Sequence, residues 1–244
     1  MAEAGPAHHH TTHDTACDTA TPRTPGAGAG AHQRIAELRQ RVQRMQGSGV
    51  TRILPVLPAF HGLVQLRTGA AYAVDSPALA MALLAGPSRA GEWCGVVNAP
   101  DFGYEAAAAF GVELERTVAV PAAGEHWLSV TAGLVEVATV VLVRPPVPVT
   151  EQQAARLRSR LPQKDAALIV WGEWPRCQQR LTIRRSEWTG LGHGYGRLTG
   201  RQVEVAVTSA SSVPATATLW LPDADQQIRR LEPVPDSRLS ARAG

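Results

Sequence analysis

The chain has 244 residues, 44% of them hydrophobic, with 24 basic and 21 acidic side chains. This size and composition are typical of one globular domain with tails. The sequence predicts neither a transmembrane helix nor a secretory signal, so a cytoplasmic protein is expected. Three cysteines, Cys17, Cys94 and Cys177, are too few and too scattered for a disulfide framework or a zinc site.

The amino-terminal residues divide into a tail and one amphipathic helix. Residues 1–30 are rich in Ala, Thr, Pro, Gly and His, show no apolar periodicity and are predicted to be disordered. Residues 31–47 are predicted to form a helix, because apolar residues recur there at steps of three and four. This narrow stripe suits docking, either on the chain's own domain or on a partner. It consists of Ile35, Leu38, Val42 and Met45.

Residues 50–221 are predicted to form one α/β domain. A short apolar strand at 71–74 is followed by Pro77, which opens an alanine- and leucine-rich helix that Asp75 or Ser76 is placed to cap. Such strands alternating with helices imply right-handed crossovers and a mostly parallel sheet flanked by helices. Further apolar strands are predicted at 93–97, 117–120, 138–143 and 166–171.

The pattern changes after residue 174. Three segments, 179–188, 201–208 and 215–221, have strand character without intervening helices, which predicts an antiparallel extension of the sheet. Residues 222–244 are polar and contain proline, and they are predicted to form a flexible C-terminal tail.

Positive charge is concentrated in the second part of the chain. Residues 1–150 carry 10 basic and 12 acidic side chains, whereas residues 151–244 carry 14 and 9. Between residues 176 and 201 there are six arginines and a single acid, Glu187. This local excess points modestly towards a polyanion as a partner.

Several runs of residues resemble the RecA family. They are G-V-E-L-E-R at 111–116, a P-x-x-G-E loop at 121–125 between a strand and a helix, and the apolar strand at 140–143. The resemblance extends over roughly residues 60–210, as judged by the predicted order of elements. It implies a RecA-like, mostly parallel central sheet.

A closer resemblance is to the actinobacterial ImuA-type proteins, RecA-like subunits of the mutasome of inducible mutagenesis. It rests on the runs at 62–66, 78–88, 140–146 and 187–198. It implies an accessory protein of the SOS response and translesion synthesis, associated with the nucleoid after DNA damage. The implied partners are an inactive Y-family polymerase-like subunit and, through it, an error-prone C-family polymerase and the sliding clamp. The RecA filament is a further implied partner.

The residues that RecA uses for ATP hydrolysis have no counterparts here. A P-loop needs glycine amides and a lysine around the phosphates, whereas this chain places Asp75 there. Pro100 stands where RecA has its catalytic glutamate, although Asp101 beside it stays open as a shifted substitute, and Arg144 or Pro145 replaces the magnesium-site aspartate. The resemblance therefore implies a protein that is not an enzyme and holds no cofactor or metal, an active ATPase being the weakest alternative. The degenerate nucleotide site consists of Asp75, Ser76, Pro77, Pro100 and Arg144.

A second candidate site surrounds the glycine-rich stretch at 190–196. This stretch is either a flexible loop between two strands or part of a surface for single-stranded DNA, because arginines contact phosphates and aromatic rings stack on bases. RecA's DNA-contacting loops lie in the comparable part of its fold. The nucleic-acid candidates are Arg180, Arg184, Arg185, Trp188, Tyr195, Arg197 and Arg201.

Two tryptophans follow the last parallel strand. Trp171 and Trp174 are either an exposed patch that binds a partner protein or side chains buried against the neighbouring helix.

Overall fold

The computed structural model describes residues 51–192 and 195–232. Within them, nine strands form one mixed sheet in the order β3-β2-β4-β5-β1-β6-β7-β8-β9. The first six strands in this order pair in parallel and the last three pair antiparallel, so the predicted α/β class with an antiparallel C-terminal extension is confirmed. The strands are β1 (Ala71–Val74), β2 (Cys94–Val97), β3 (Thr117–Val120), β4 (Val140–Val143), β5 (Ala167–Trp171), β6 (Gln179–Gly192), β7 (Tyr195–Thr208), β8 (Ala215–Trp220) and β9 (Arg229–Leu231).

The predicted tail at 1–30 and the predicted helix at 31–47 lie outside the described residues, as do residues 233–244. The apolar stripe of Ile35, Leu38, Val42 and Met45 therefore stays a prediction.

Helices connect the parallel strands, and their ends follow from local sequence. A capping box starts the fourth helix, because Thr150 Oγ1 accepts from Gln153 N–H at 3.3 Å while Gln153 Oε1 accepts from Thr150 N–H at 3.0 Å. Gly111, at a φ of 97°, ends the second helix in the left-handed region that favours glycine. The α-helices are α1 (Pro77–Arg89), α2 (Tyr104–Phe110), α3 (Trp127–Val135) and α4 (Glu151–Arg158).

The sheet separates two hydrophobic cores. Tyr72 and Val74 of β1 belong to the core with α1 and α2, whereas Ala71 and Ala73 belong to the core with α3 and α4. Because side chains alternate along a strand, both faces of β1 are buried, and every residue of β2 and β4 is buried as well. The apolar runs that predicted central strands therefore reflect burial on both faces.

The segment before β1 crosses α1 at Gly86. A Cβ atom at this position would lie 2.4 Å from Pro55 O and 2.7 Å from Val56 Cα. The backbone of residues 55–56 thus packs directly on Gly86, and this close approach requires a residue without a Cβ atom.

Strands β6 and β7 extend beyond the sheet as a two-stranded ribbon. β1 pairs with β6 only over Gln179–Leu181, and β8 pairs with β7 only over residues 202–207. We call residues 184–192 with residues 195–201 the ribbon. Both strands are longer than predicted, since the glycine-rich stretch continues the hairpin, with irregularities at Arg184 and at Gly190.

The sheet continues past residue 221, where the sequence predicted a flexible tail. Arg229–Leu231 form β9, which pairs with Thr218–Trp220 of β8. The turn before β9 is held by the Asp223 carboxylate, whose Oδ1 accepts from Gln227 N–H at 2.8 Å. The described part of the predicted tail is therefore ordered by sheet pairing. Among the residues that the structure describes, no helix has the length and apolar character needed to cross a membrane.

Candidate functional site

The turn between β1 and α1, where a P-loop would lie, contains only Asp75 and Ser76. Asp75 binds the neighbouring strand: its N–H donates to Leu181 O at 3.3 Å, and its Oδ2 accepts from Ile183 N–H at 2.9 Å. Ser76 is the N-cap residue by position, but its buried side chain makes no capping hydrogen bond. The predicted side-chain cap is therefore wrong, because the Asp75 carboxylate bonds to β6 and the Ser76 hydroxyl does not reach the helix amides.

This turn offers little to a phosphate group. Helix N-termini bind anions through exposed amides, yet Pro77 at the first position of α1 has no N–H. The exposed carboxylate of Asp75 adds a negative charge at the same place. Neither a glycine amide nor a lysine is present in the turn, so it lacks the groups with which a P-loop holds nucleotide phosphates.

Arg144 spans the carboxyl ends of three neighbouring strands. It follows β4, and its Nη1 donates to both carboxylate oxygens of Asp101, after β2, at 2.6 and 2.8 Å. Its guanidinium lies over the ring of Trp171, at the end of β5, 4.2 Å from the ring centre. The hydrogen bond from Arg144 lowers the pKa of Asp101 below its usual value. Asp101 is thus ionised and paired with a cation, which disfavours the role of a water-activating base.

Asn98 links the loops on either side of this ion pair. It lies just after β2 with a φ of 56°, its Nδ2 donates to Arg144 O at 2.9 Å, and its Oδ1 accepts from Gly124 N–H at 3.2 Å. Ligands of parallel α/β sheets bind in the crevice outside the carboxyl ends of the strands. At this edge, side chains of the chain itself bond to one another across the crevice. We call the cluster of Asp75, Asn98, Asp101, Arg144 and Trp171 the closed edge.

The sequence located this edge only in part. Asp75, Pro100 and Arg144 were selected one by one as lost catalytic positions, and the structure brings Asp75 and Arg144 to the same sheet edge, with Pro100 exposed in the loop after β2. Asn98 was missed. The turn signal N-A-P-D after a buried strand marks a loop, but it does not reveal that the Asn98 amide joins two other loops.

The two candidate tryptophans have different environments. Trp174 is 2% exposed and belongs to the core with α3 and α4, so burial is the correct alternative for it. Trp171 is half-buried under the guanidinium of Arg144. The structure therefore does not support an exposed tryptophan pair, and it leaves Trp171 as the accessible one.

The structure places the nucleic-acid candidate residues in two different regions. Arg180 lies at the start of β6, where its Nη1 pairs with Glu173 Oε2 at 2.8 Å, away from the ribbon. The other candidates lie on the ribbon, although the side chain of Tyr195 is outside the described part: Arg184, Arg185, Trp188, Tyr195, Arg197 and Arg201.

Only some of the ribbon arginines are engaged by neighbours. Arg201 lies opposite Trp188, with its guanidinium 5.4 Å from the ring centre, and its Nε donates to Ser186 Oγ at 2.8 Å. Arg185 Nε lies 3.7 Å from Glu187 Oε1. Arg184 and Arg197 are exposed, as is about half of the Trp188 surface. The described side chains of the ribbon thus present cations and the Trp188 ring to solvent.

Part of this chain matches a known protein family. Residues 56–176 match the family model described as the MT3502 N-terminal domain. The matched segment contains β1 to β5 and the closed edge, and it ends before the ribbon. No curated protein matches the chain.

Proposed function

We propose that the chain is a non-catalytic RecA-like scaffold, of the ImuA type, in DNA-damage-induced mutagenesis and translesion synthesis. It would bridge an inactive Y-family polymerase-like subunit and, through it, an error-prone C-family polymerase and the sliding clamp, with the RecA filament as a further partner. Such a protein acts in the cytoplasm, at the nucleoid.

The observation that carries the proposal is the closed edge. The P-loop position holds a two-residue turn with an acidic side chain bonded to β6, and the crevice beside it holds the Arg144–Asp101 pair. Phosphoryl transfer needs a phosphate cradle, a bound magnesium ion and an oriented water. At the closed edge, side chains pair with other groups of the same chain. A sheet held together in this way can still act as a rigid support for partner proteins. The role in induced mutagenesis and the named partners are inferred from the sequence runs that resemble RecA and the ImuA-type proteins.

Co-expression with the Y-family polymerase-like subunit of the same organism tests this proposal. The two proteins are expected to co-purify through a tag on either one and to elute together in size-exclusion chromatography. The isolated chain is expected to give no heat signal with ATP and Mg²⁺ in calorimetry. Failure to associate under co-expression would contradict the adaptor role, and magnesium-dependent ATP affinity would contradict the non-catalytic one.

The ribbon favours a second candidate function, a module that binds single-stranded DNA. Arginines that face solvent next to an exposed indole match the combination of phosphate contacts and base stacking used by such modules. This function and the scaffold role are compatible, because the ribbon lies outside the closed edge.

Fluorescence polarisation with a labelled oligonucleotide tests the DNA-binding module. Binding is expected to weaken steeply as salt rises, and Arg184→Ala with Arg185→Ala is expected to weaken it about tenfold or more at low salt, since two phosphate contacts are removed. Arg156→Ala with Arg160→Ala, which removes two arginines from the region of α4, is the matched control. Equal binding by both double variants would reject the ribbon as the DNA site.

A further inference from the structure

The ribbon has an open strand edge along β6. β1 pairs with β6 over Gln179–Leu181, and the Asp75 carboxylate adds one hydrogen bond at Ile183 N–H. Residues 184–190 beyond this point are exposed. Within the described part of the chain, no other strand pairs with this side of β6. Backbone N–H and C=O groups on such an exposed edge are a template for pairing with another strand.

The side chains along this edge are self-complementary about Ser186. When two copies of β6 run antiparallel around a twofold axis at Ser186, Arg185 of each copy lies opposite Glu187 of the other. Both side chains are mostly exposed, at 75% and 63%, so they are accessible to a second chain. An axis at Arg185 or at Glu187 would instead place like charges opposite each other, which is unfavourable.

The next pair in the same register is also complementary. Arg184, which lies at a register shift of β6 between Ile183 and Arg185, comes near Trp188 of the other copy, and an arginine beside an indole ring is a favourable cation–π pair. Trp188 is 52% exposed in the single chain, so pairing would cover apolar surface that is otherwise in water.

We propose that this edge binds a second copy of the chain: the two β6 strands pair antiparallel around a twofold axis at Ser186 and join the two sheets. Backbone hydrogen bonds and burial of Trp188 provide the affinity. The exposed ion pairs add little free energy, and their role is to fix the register. This dimer is independent of the proposed scaffold function, which is tested separately by co-purification with the partner.

Complementary charge reversals test the register directly. Arg185→Glu makes both positions acidic in one variant, and Glu187→Arg makes both basic in the other. Sedimentation velocity is expected to show a concentration-dependent dimer for the unmodified chain, mainly monomer for each variant alone, and a 1:1 dimer when the variants are mixed. Each substitution also removes the Arg185–Glu187 ion pair within its own chain. That loss is the same in both variants, so only pairing between chains explains a return of the dimer on mixing.

A cysteine at the axis provides a second measurement. Residues on the twofold axis of an antiparallel pair have Cα atoms about 4.5–5.5 Å apart, within disulfide range. Ser186→Cys is therefore expected to give a covalent dimer under mild oxidation, whereas Ser211→Cys, exposed in the β7–β8 loop, serves as the control. A monomeric unmodified chain at high concentration, no dimer in the mixture, or equal cross-linking at both positions would each overturn the proposal.

Discussion

Trp174→Ala is expected to lower the free energy of unfolding by about 3–5 kcal/mol, the usual loss for a large aromatic side chain removed from a core. Trp174 is 2% exposed and belongs to the same core as Ala154 and Leu157 of α4. Small side chains such as Ala154 cannot move far enough to fill the space, so a cavity should remain. Urea unfolding followed by far-UV circular dichroism measures the change.

Trp171→Ala is the matched control for this prediction. Trp171 is half-buried: its ring packs partly against the core on the other face of the sheet and lies under the Arg144 guanidinium. The Trp171 side chain buries less surface than Trp174, and its cation–π contact contributes only about 0.5–1 kcal/mol, so this loss should be the smaller one. Similar losses for the two variants would show that Trp174 is not the core residue that its burial indicates.

Gly86→Ala is expected to destabilise the fold by about 1–3 kcal/mol, although alanine is the better helix former. The new Cβ would lie 2.4 Å from Pro55 O, and a backbone oxygen cannot rotate away as the end of a flexible side chain can. Residues 55–56 must therefore shift away from α1 and lose packing. Thermal and urea unfolding measure the loss, and faster amide exchange in this segment would locate it.

Gly133→Ala makes the same glycine-to-alanine substitution at a helical position where the new Cβ meets no steric clash. Gly133 lies within α3, and apart from its chain neighbours and the backbone of its own helix no atom lies within 4 Å of the position of its Cβ. Alanine should raise stability here by about 0.5–1 kcal/mol through helix propensity alone. The two glycines are thus expected to respond with opposite signs. A gain at both would mean that residues 55–56 are not packed closely against α1.

The closed edge and the ribbon divide the molecule into two regions with different chemistry. At the closed edge, the Asp75 and Asp101 carboxylates already accept hydrogen bonds from β6 and from Arg144. On the ribbon, Arg184, Arg197 and Trp188 face solvent. Binding surfaces are therefore expected on the ribbon, since groups that are already paired must lose those partners before they can bind a ligand.

The chain by itself determined the order of elements and the fold class. Strands buried on both faces must be apolar at every position, and this made β4 and β5 visible as continuous apolar runs. Helix ends such as those at Gly111 and Thr150 are also set locally, because the effect of these residues depends on neighbours within a few positions. The absence of a P-loop motif from the turn before α1 could likewise be recognised in the sequence, since that motif is local.

Only the tertiary structure decided how distant residues meet. Asp75 or Ser76 was predicted to cap α1, but the Asp75 carboxylate bonds to Ile183, which is 108 positions away, once β6 lies beside β1. Arg144 and Asp101 are joined because the carboxyl ends of parallel strands share one edge. The extent of β6 and β7 was underestimated, since glycines that signal a loop also fit a hairpin whose bulge needs a residue without a side chain, as at Gly190. Spatial proximity depends on strand order, and no local pattern in the chain encodes that order.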